Sequence, residues 1–181
     1  ANPLEGATKA ERRAWSKKHQ AKPVRTWSSS NVRYLLGNGR INEADAILGH
    51  LHAVTGEVVH GEERGRSIGF PTANLGAGIT GYLPVDGVYA GWLVDLGKAP
   101  ANAGLEDRVE LVRNAVGAQR WPAAISIGTK PTFSEVTGRY ERVVEAYCLS
   151  EDWLELYGHI VRVEFAGFLR PQVKFGSADE L

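Results

Sequence analysis

The chain of 181 residues contains no methionine and a single cysteine, Cys148. One cysteine excludes an intramolecular disulfide and favours a reducing, cytoplasmic compartment. No apolar run approaches the roughly 18 residues that a membrane-spanning helix requires, and no secretory signal is visible. The lack of methionine, even at position 1, indicates a processed or excised piece of a longer protein.

The chain also lacks net charge, because 21 lysines and arginines balance 21 aspartates and glutamates. Without a global positive field, neither nucleic acid nor a membrane surface is an expected partner. With 43% hydrophobic and 23% charged residues, the composition is that of an ordinary globular protein with a sizeable core. Binding of a phosphorylated ligand would therefore depend on a local cluster of residues.

A cluster of this kind lies in residues 58–74, which read VVHGEERGRSIGFPTAN. Closely spaced glycines let backbone N–H groups approach an anion, and arginines add positive charge. The glycines and arginines concerned are Gly61, Arg64, Gly65, Arg66 and Gly69. The stretch is not a Walker loop, because G-x-x-x-x-G-K-[ST] is absent from the chain. A plain hairpin connection remains the alternative to a phosphate-binding loop.

Thr72 and Asn74 end this stretch with two neutral oxygen ligands. On an extended backbone, residues two positions apart share a face, so both oxygens could bind one hard cation such as Mg²⁺. Together with the glycine-rich stretch, they indicate a nucleoside triphosphate site. Asn and Thr are also common in turns, and a turn is the alternative for Thr72 and Asn74.

The first 50 residues contain the signals for two helices. The first 27 or so are polar and basic and resemble a linker or a docked helix. Residues 28–30, all serine, can cap a helix that runs through Leu36 and stops at Gly37. Asn42 can cap a second helix that ends at Gly49.

Strand signals dominate the rest of the chain, as β-branched and aromatic runs bounded by Gly, Pro and polar residues. These runs are residues 55–59, 87–96, 123–127, 142–149 and 159–169. Residues 151–157 are predicted to form a helical turn or short helix, and residues 97–122 a surface insertion. With almost no crossover helices, the strands predict an antiparallel barrel rather than an α/β sheet.

Alternation in the predicted strand 142–149 places Glu145 on the face opposite Val144 and Cys148. A carboxylate there is either an ordinary solvent-facing residue or a general base. Cys148, on the other face, is expected to be a small core residue rather than a nucleophile. None of the five histidines shows metal-ligand spacing.

Several segments resemble the riboflavin kinase family in the expected order. They are residues 58–74, 83–90, 127–133, 144–145, 156–158, 168–170 and 174–175. The resemblance covers about residues 50–181 and implies a mainly β fold, a closed six-stranded antiparallel Greek-key barrel with an N-terminal helical appendage. It also implies ATP-dependent phosphorylation of the riboflavin 5′-hydroxyl, with Mg²⁺, to give FMN and ADP.

The resemblance implies a role for each candidate residue. Glu145 would be the catalytic general base, and Thr72 and Asn74 would bind Mg²⁺ with the phosphates of ATP. The remaining ATP-binding residues would be Gly61, Arg64, Gly65, Arg66, Gly69 and Tyr157. The flavin-binding residues would be Arg142, Arg170, Lys174 and Phe175.

Simpler explanations remain open for some of these residues. Tyr157 could mark only the end of a helical turn before Gly158. The segment that follows Arg170 could be a solvated basic turn. Arg142 could reach phosphate or pair with a surface carboxylate.

Residues 28–33 resemble the Ser-Ser-Thr-x-x-Arg segment that closes the adenylyltransferase domain of bifunctional bacterial FAD synthetases. This implies a linker and helical remnant in residues 1–49, a kinase barrel in residues 50–181 and an N-terminal adenylyltransferase domain in the full-length protein. The His-x-Gly-His motif of that domain is absent, so FAD synthesis is not expected of this chain.

Two other classes of function compete with a kinase. One is a catalytically silent flavin- or nucleotide-binding barrel with a regulatory or interaction role, which would not need Glu145 together with Thr72 and Asn74. The other is a split-barrel flavin reductase, which would not need a magnesium pair beside a phosphate loop.

Overall fold

The computed structural model of the chain describes residues 8–11, 27–60, 71–98, 110, 117–131, 140–150 and 152–172. Within these ranges six antiparallel strands close into a barrel. They are β1 His52–Val59, β2 Thr72–Leu75, β3 Gly87–Lys98, β4 Arg120–Pro131, β5 Tyr140–Cys148 and β6 His159–Arg170. Their order around the wall is β1-β2-β5-β4-β3-β6, in which β6 returns beside β3 after the β3-β4-β5 meander, as in a Greek key. The predicted fold class is confirmed.

Helix α1, Ser29–Leu36, has the predicted ends. The Ser28 hydroxyl accepts a hydrogen bond from the Asn31 backbone N–H at 3.2 Å. The N–H of Gly37 donates to the carbonyl of Arg33 at 2.9 Å. The first bond satisfies a backbone N–H at the start of the helix, and the second satisfies a backbone carbonyl at its end. This explains why the cap residues predicted both ends correctly.

Helix α2, Ile41–Leu48, begins earlier than predicted. Its N-cap is Arg40, which makes no side-chain capping bond and instead pairs with Glu43 at 2.7 Å. The prediction that Asn42 caps this helix is therefore wrong, since Asn42 lies inside the first turn. The predicted end is correct, because Gly49 adopts a left-handed conformation with φ of 76°.

The two helices share a hydrophobic core with the barrel. Leu36, Ile41 and Ala44 are fully buried in the same cluster as the barrel interior. A short chain of bonds reaches from α1 into the barrel: the Val85 N–H donates to the Leu36 carbonyl at 3.0 Å, and the Tyr89 hydroxyl donates to the Val85 carbonyl. Burial raises the pKa of Tyr89 to about 12, so the hydroxyl stays a donor at neutral pH.

The barrel interior is filled by the inward face of each strand. In β5, Val144, Ala146 and Cys148 are fully buried, whereas Glu145 and Tyr147 are half-buried on the outer face. The predicted faces of this strand are confirmed. Burial raises the pKa of the Cys148 thiol to about 12, which agrees with a core residue rather than a nucleophile.

Two segments differ from the predictions. Residues 152–156 contain no helix, and a turn follows at residues 157–158, so the short helix predicted for 151–157 is wrong over the described residues. The Gly158 N–H donates to the Val58 carbonyl at 2.9 Å and fastens this segment to β1, while the His159 N–H donates to the Leu156 carbonyl at 3.0 Å and closes the turn. The predicted insertion is shorter at both ends, because β3 extends to Lys98 and β4 begins at Arg120. Residues 99–109 and 111–116 lie outside the described residues.

Candidate active site

The predicted base and the predicted metal ligands are neighbours on the outer wall of the barrel. In the antiparallel pairing of β2 with β5, Asn74 lies opposite Glu145 and Thr72 lies opposite Tyr147. Directly opposed residues on one face have Cβ atoms about 4.5–5.5 Å apart. The pairing therefore brings groups that lie far apart in the sequence into one patch on the outer wall. This patch consists of Thr72, Asn74, Glu145 and Tyr147.

Alternation in β2 explains why Thr72 and Asn74 share the outer face. Ala73 and Leu75 are 1% and 4% exposed and enter the core, so the residues between them must face outward. The strand is held on both sides, since Asn74 also lies opposite Val59 of β1. Both predicted ligands are half-buried, which limits their contact with bulk water.

Glu145 lies in a polar surrounding on this patch. The Tyr147 hydroxyl donates a hydrogen bond to its Oε2 atom at 3.0 Å. On the other side, Ser126 of β4 lies opposite Glu145. The Ser126 hydroxyl accepts a hydrogen bond from Nε2 of Gln172 at 2.7 Å, which joins the end of β6 to the patch. Tyr147, Ser126 and Gln172 were not among the predicted site residues.

The donor set fits a hard cation that arrives with phosphate. Thr72 and Asn74 offer neutral oxygens, and Glu145 is the acidic residue among those that pair with β2 across the β2–β5 ladder. In the part of the chain that the structure describes, no group of three or more His, Cys, Asp and Glu side chains could hold a metal ion. A cation on this patch would thus need additional negative charge from its ligand.

At one edge of the patch, Tyr157 stacks on His60 with ring centroids 3.8 Å apart. His60 follows β1 directly, so the stack lies at the end of that strand. Gly158 allows the turn with φ of 74°. The predicted phosphate-binding residues Gly61, Arg64, Gly65, Arg66 and Gly69 lie outside the described residues.

At the opposite side lies Arg170, the last residue of β6. The register runs from Glu145 to Ser126, then Val88, then Arg170. Three strand spacings separate the Cα atoms of Glu145 and Arg170, roughly 14 Å along the curved wall. Arg170 is exposed. Lys174 and Phe175, the other predicted flavin residues of this segment, lie outside the described residues.

Arg142 forms the ion pair that the sequence left as an alternative. Its Nε atom donates to Oδ1 of Asp86 at 2.7 Å, and its other nitrogens donate to the carbonyls of Leu83 and Pro84. The second Asp86 oxygen accepts from the Thr129 hydroxyl at 2.8 Å. The guanidinium thereby fastens the segment before β3 to the β4–β5 pair. A flavin contact by Arg142 stays a prediction.

Comparison with known proteins identifies the family. A family model described as Flavokinase, riboflavin kinase, matches residues 48–181. The chain therefore belongs to the riboflavin kinase family, and the predicted class of enzyme is confirmed at that level.

Among curated relatives, a bifunctional riboflavin kinase/FMN adenylyltransferase from Escherichia coli strain K12 is 34% identical over 85% of this chain. A protein of the same name from Bacillus subtilis strain 168 is 33% identical over 85% of it. The chain spans only 41% and 42% of the length of these two relatives.

Among solved structures, a protein of Streptococcus pneumoniae described as a macrolide-efflux protein has a TM-score of 0.62 and 29% identity. The match covers 86% of this chain and 42% of that one. Its description differs from the names of the curated relatives, and this structural similarity is support for the fold only. Over the residues that the structure describes, no helix is long and apolar enough to cross a membrane.

Proposed function

We propose that this chain transfers the γ-phosphoryl group of ATP to the 5′-hydroxyl of riboflavin and forms FMN and ADP. The observation that carries the proposal is the cross-strand pairing of Asn74 with Glu145. It sets a carboxylate beside the two residues that we propose as neutral metal ligands, in a chain of the riboflavin kinase family. Phosphoryl transfer needs these groups close together, because it relies on positioning and charge stabilisation.

In this proposal each side of the patch has one task. The nucleotide would be bound by Gly61, Arg64, Gly65, Arg66, Gly69, Thr72, Asn74 and Tyr157. The flavin would be bound by Arg142, Arg170, Lys174 and Phe175. Glu145, between the two sides, accepts the proton of the 5′-hydroxyl while the hydroxyl oxygen attacks the γ-phosphorus of ATP. The roughly 14 Å of wall between Glu145 and Arg170 leaves room for the ribityl chain and ring of riboflavin.

Thr72 and Asn74 would hold Mg²⁺ jointly with the triphosphate, and the ion would supply charge neutralisation at the transferring group. Because both protein ligands are neutral, the metal and ATP should bind together rather than separately. This coupling makes the metal requirement of the chain depend on the nucleotide concentration.

The two curated relatives are named for two activities, and we propose that the full-length protein likewise joins an N-terminal adenylyltransferase domain to this kinase barrel. Residues 1–49 would then be linker and helical remnant, and residues 50–181 the kinase module. A cytoplasmic location stays a prediction, supported by the single thiol and by the use of ATP.

The test is incubation of the chain with riboflavin, ATP and Mg²⁺, followed by chromatography for FMN and FAD. We expect FMN but no FAD, because the His-x-Gly-His motif is absent. Binding of riboflavin and ATP without FMN formation would favour the silent binding barrel instead. Synthesis of FAD from FMN and ATP would contradict the division of activities between the two domains.

A further inference from the structure

Tyr147 contacts the proposed base, yet no sequence motif assigned it a role. It follows Glu145 by two positions on β5, and both side chains lie half-buried on the outer face. Its hydroxyl donates to Oε2 of Glu145 at 3.0 Å. The β2–β5 register also sets Tyr147 opposite Thr72, next to the pair formed by Asn74 and Glu145.

This hydrogen bond restrains a side chain that has several rotamers. A glutamate has three rotatable side-chain bonds, and ordering them costs free energy during the reaction unless the carboxylate is already held. The backbone of Glu145 is fixed by pairing with Asn74 on one side and Ser126 on the other. The Tyr147 bond extends that order from the backbone to the carboxylate itself.

Resting on the kinase function proposed above, we propose that Tyr147 is a positioning residue for Glu145. It holds Oε2, so that Oε1 accepts the proton of the riboflavin 5′-hydroxyl. As that proton moves to Oε1, the hydroxyl oxygen forms its bond to the γ-phosphorus and the bond to the ADP oxygen breaks. Tyr147 keeps its own proton throughout, because it donates a hydrogen bond to Glu145 without transferring the proton.

A purely structural role for Tyr147 predicts different behaviour. Tyr147 is paired with Thr72 of β2 and Ala124 of β4, and in this role its side chain would only pack against the outer wall. Packing would contribute to stability to the same extent whether or not residue 145 is a base. Positioning, in contrast, affects turnover only while there is a base to position.

The test is Tyr147→Phe in the parent chain and in a Glu145→Gln background. In the parent we expect kcat to fall roughly tenfold or more, as for one lost hydrogen bond to a charged group. KM for ATP and for riboflavin should stay within about twofold, because the bond orders a catalytic group rather than a binding group. In the Glu145→Gln background the same change should have no further effect on single-turnover rates. Tyr34→Phe, at a tyrosine that is 61% exposed on α1, is the matched control.

FMN formation by the parent chain tests the proposed function, whereas only the ratios between variants test the role of Tyr147. Tyr147→His retains a ring N–H donor and should recover part of the lost rate. Unchanged kcat, an equal loss in both backgrounds, or a loss of folding without an effect specific to Glu145 would each overturn the inference.

Discussion

Replacement of Glu145 by glutamine tests the centre of the proposed site. Glutamine has the same length and can still accept the Tyr147 hydrogen bond, but it cannot accept a proton. General-base catalysis typically contributes about 10²- to 10⁴-fold to a rate. We therefore expect Glu145→Gln to lower kcat by that factor, which corresponds to about 2.7–5.5 kcal/mol in the activation free energy.

The structure bounds the effect of the same change on stability. Glu145 is half-buried, and the hydrogen bond that it accepts from Tyr147 at 3.0 Å changes from charge-assisted to neutral. That change is worth about 1 kcal/mol, or a melting temperature roughly 2–4 °C lower for a chain of this size. A large loss of rate with so small a loss of stability would separate chemistry from folding.

The assay measures FMN formation, riboflavin and ATP affinity and thermal unfolding on one preparation. Glu57→Gln is the matched control, because Glu57 is also a half-buried glutamate on the outer face of a strand, β1. Its turnover should stay within a few-fold of the parent. Turnover of Glu145→Gln within a few-fold of the parent would refute the assignment of Glu145 as the base.

Three further predictions concern the metal ligands, the barrel and pH. Asn74→Ala should raise the Mg²⁺ and ATP concentrations needed for half-maximal rate, with a stability change of only about 0.5 kcal/mol; unaltered metal dependence would remove Asn74 as a ligand. Gly91→Ala should lower the melting temperature by roughly 5–10 °C, because its Cβ would lie 2.0 Å from the Glu164 carbonyl. Gly167→Ala, whose Cβ would have nothing nearer than 3.8 Å, should melt like the parent, and equal melting of the two variants would contradict the argument. Burial lowers the pKa of His52 from its ordinary 6.5. Below that pH the unfolded chain therefore binds a proton at His52 more readily than the folded chain, and the folded chain loses stability as pH falls. His52→Asn should therefore lose less melting temperature between neutral pH and pH about 5.5 than the parent, and an equal loss would exclude His52 as the cause.

Local signals predicted local structure well. The ends of α1 and the alternation in β5 depend on neighbouring residues, so caps and a two-residue period were sufficient to predict them. Local signals failed where a distant contact competes with them. The turn at Tyr157 and Gly158 bonds to Val58 of β1, and this tertiary contact overrides the weak helix preference of the preceding residues.

The site was predicted residue by residue, but its arrangement was not. Family motifs and the two-residue spacing made Glu145, Thr72 and Asn74 candidates, whereas nothing local indicates that Asn74 lies opposite Glu145. The ion pair of Arg142 with Asp86 joins residues 56 positions apart, beyond the reach of any period or spacing rule. Tyr147 is the exception, because the alternation that placed Glu145 on the outer face placed Tyr147 beside it.

The strand order explains why this fold can hold the proposed chemistry. In a simple up-and-down barrel β2 would pair with β3, and Asn74 would be far from Glu145. In the observed order β2 lies between β1 and β5, so one four-residue strand borders both the start of the glycine-rich stretch and the strand of the base. The end of β1 and the start of β2 therefore both lie beside the patch. The Greek-key connection, rather than any single motif, brings the proposed metal ligands Thr72 and Asn74 beside the proposed base Glu145.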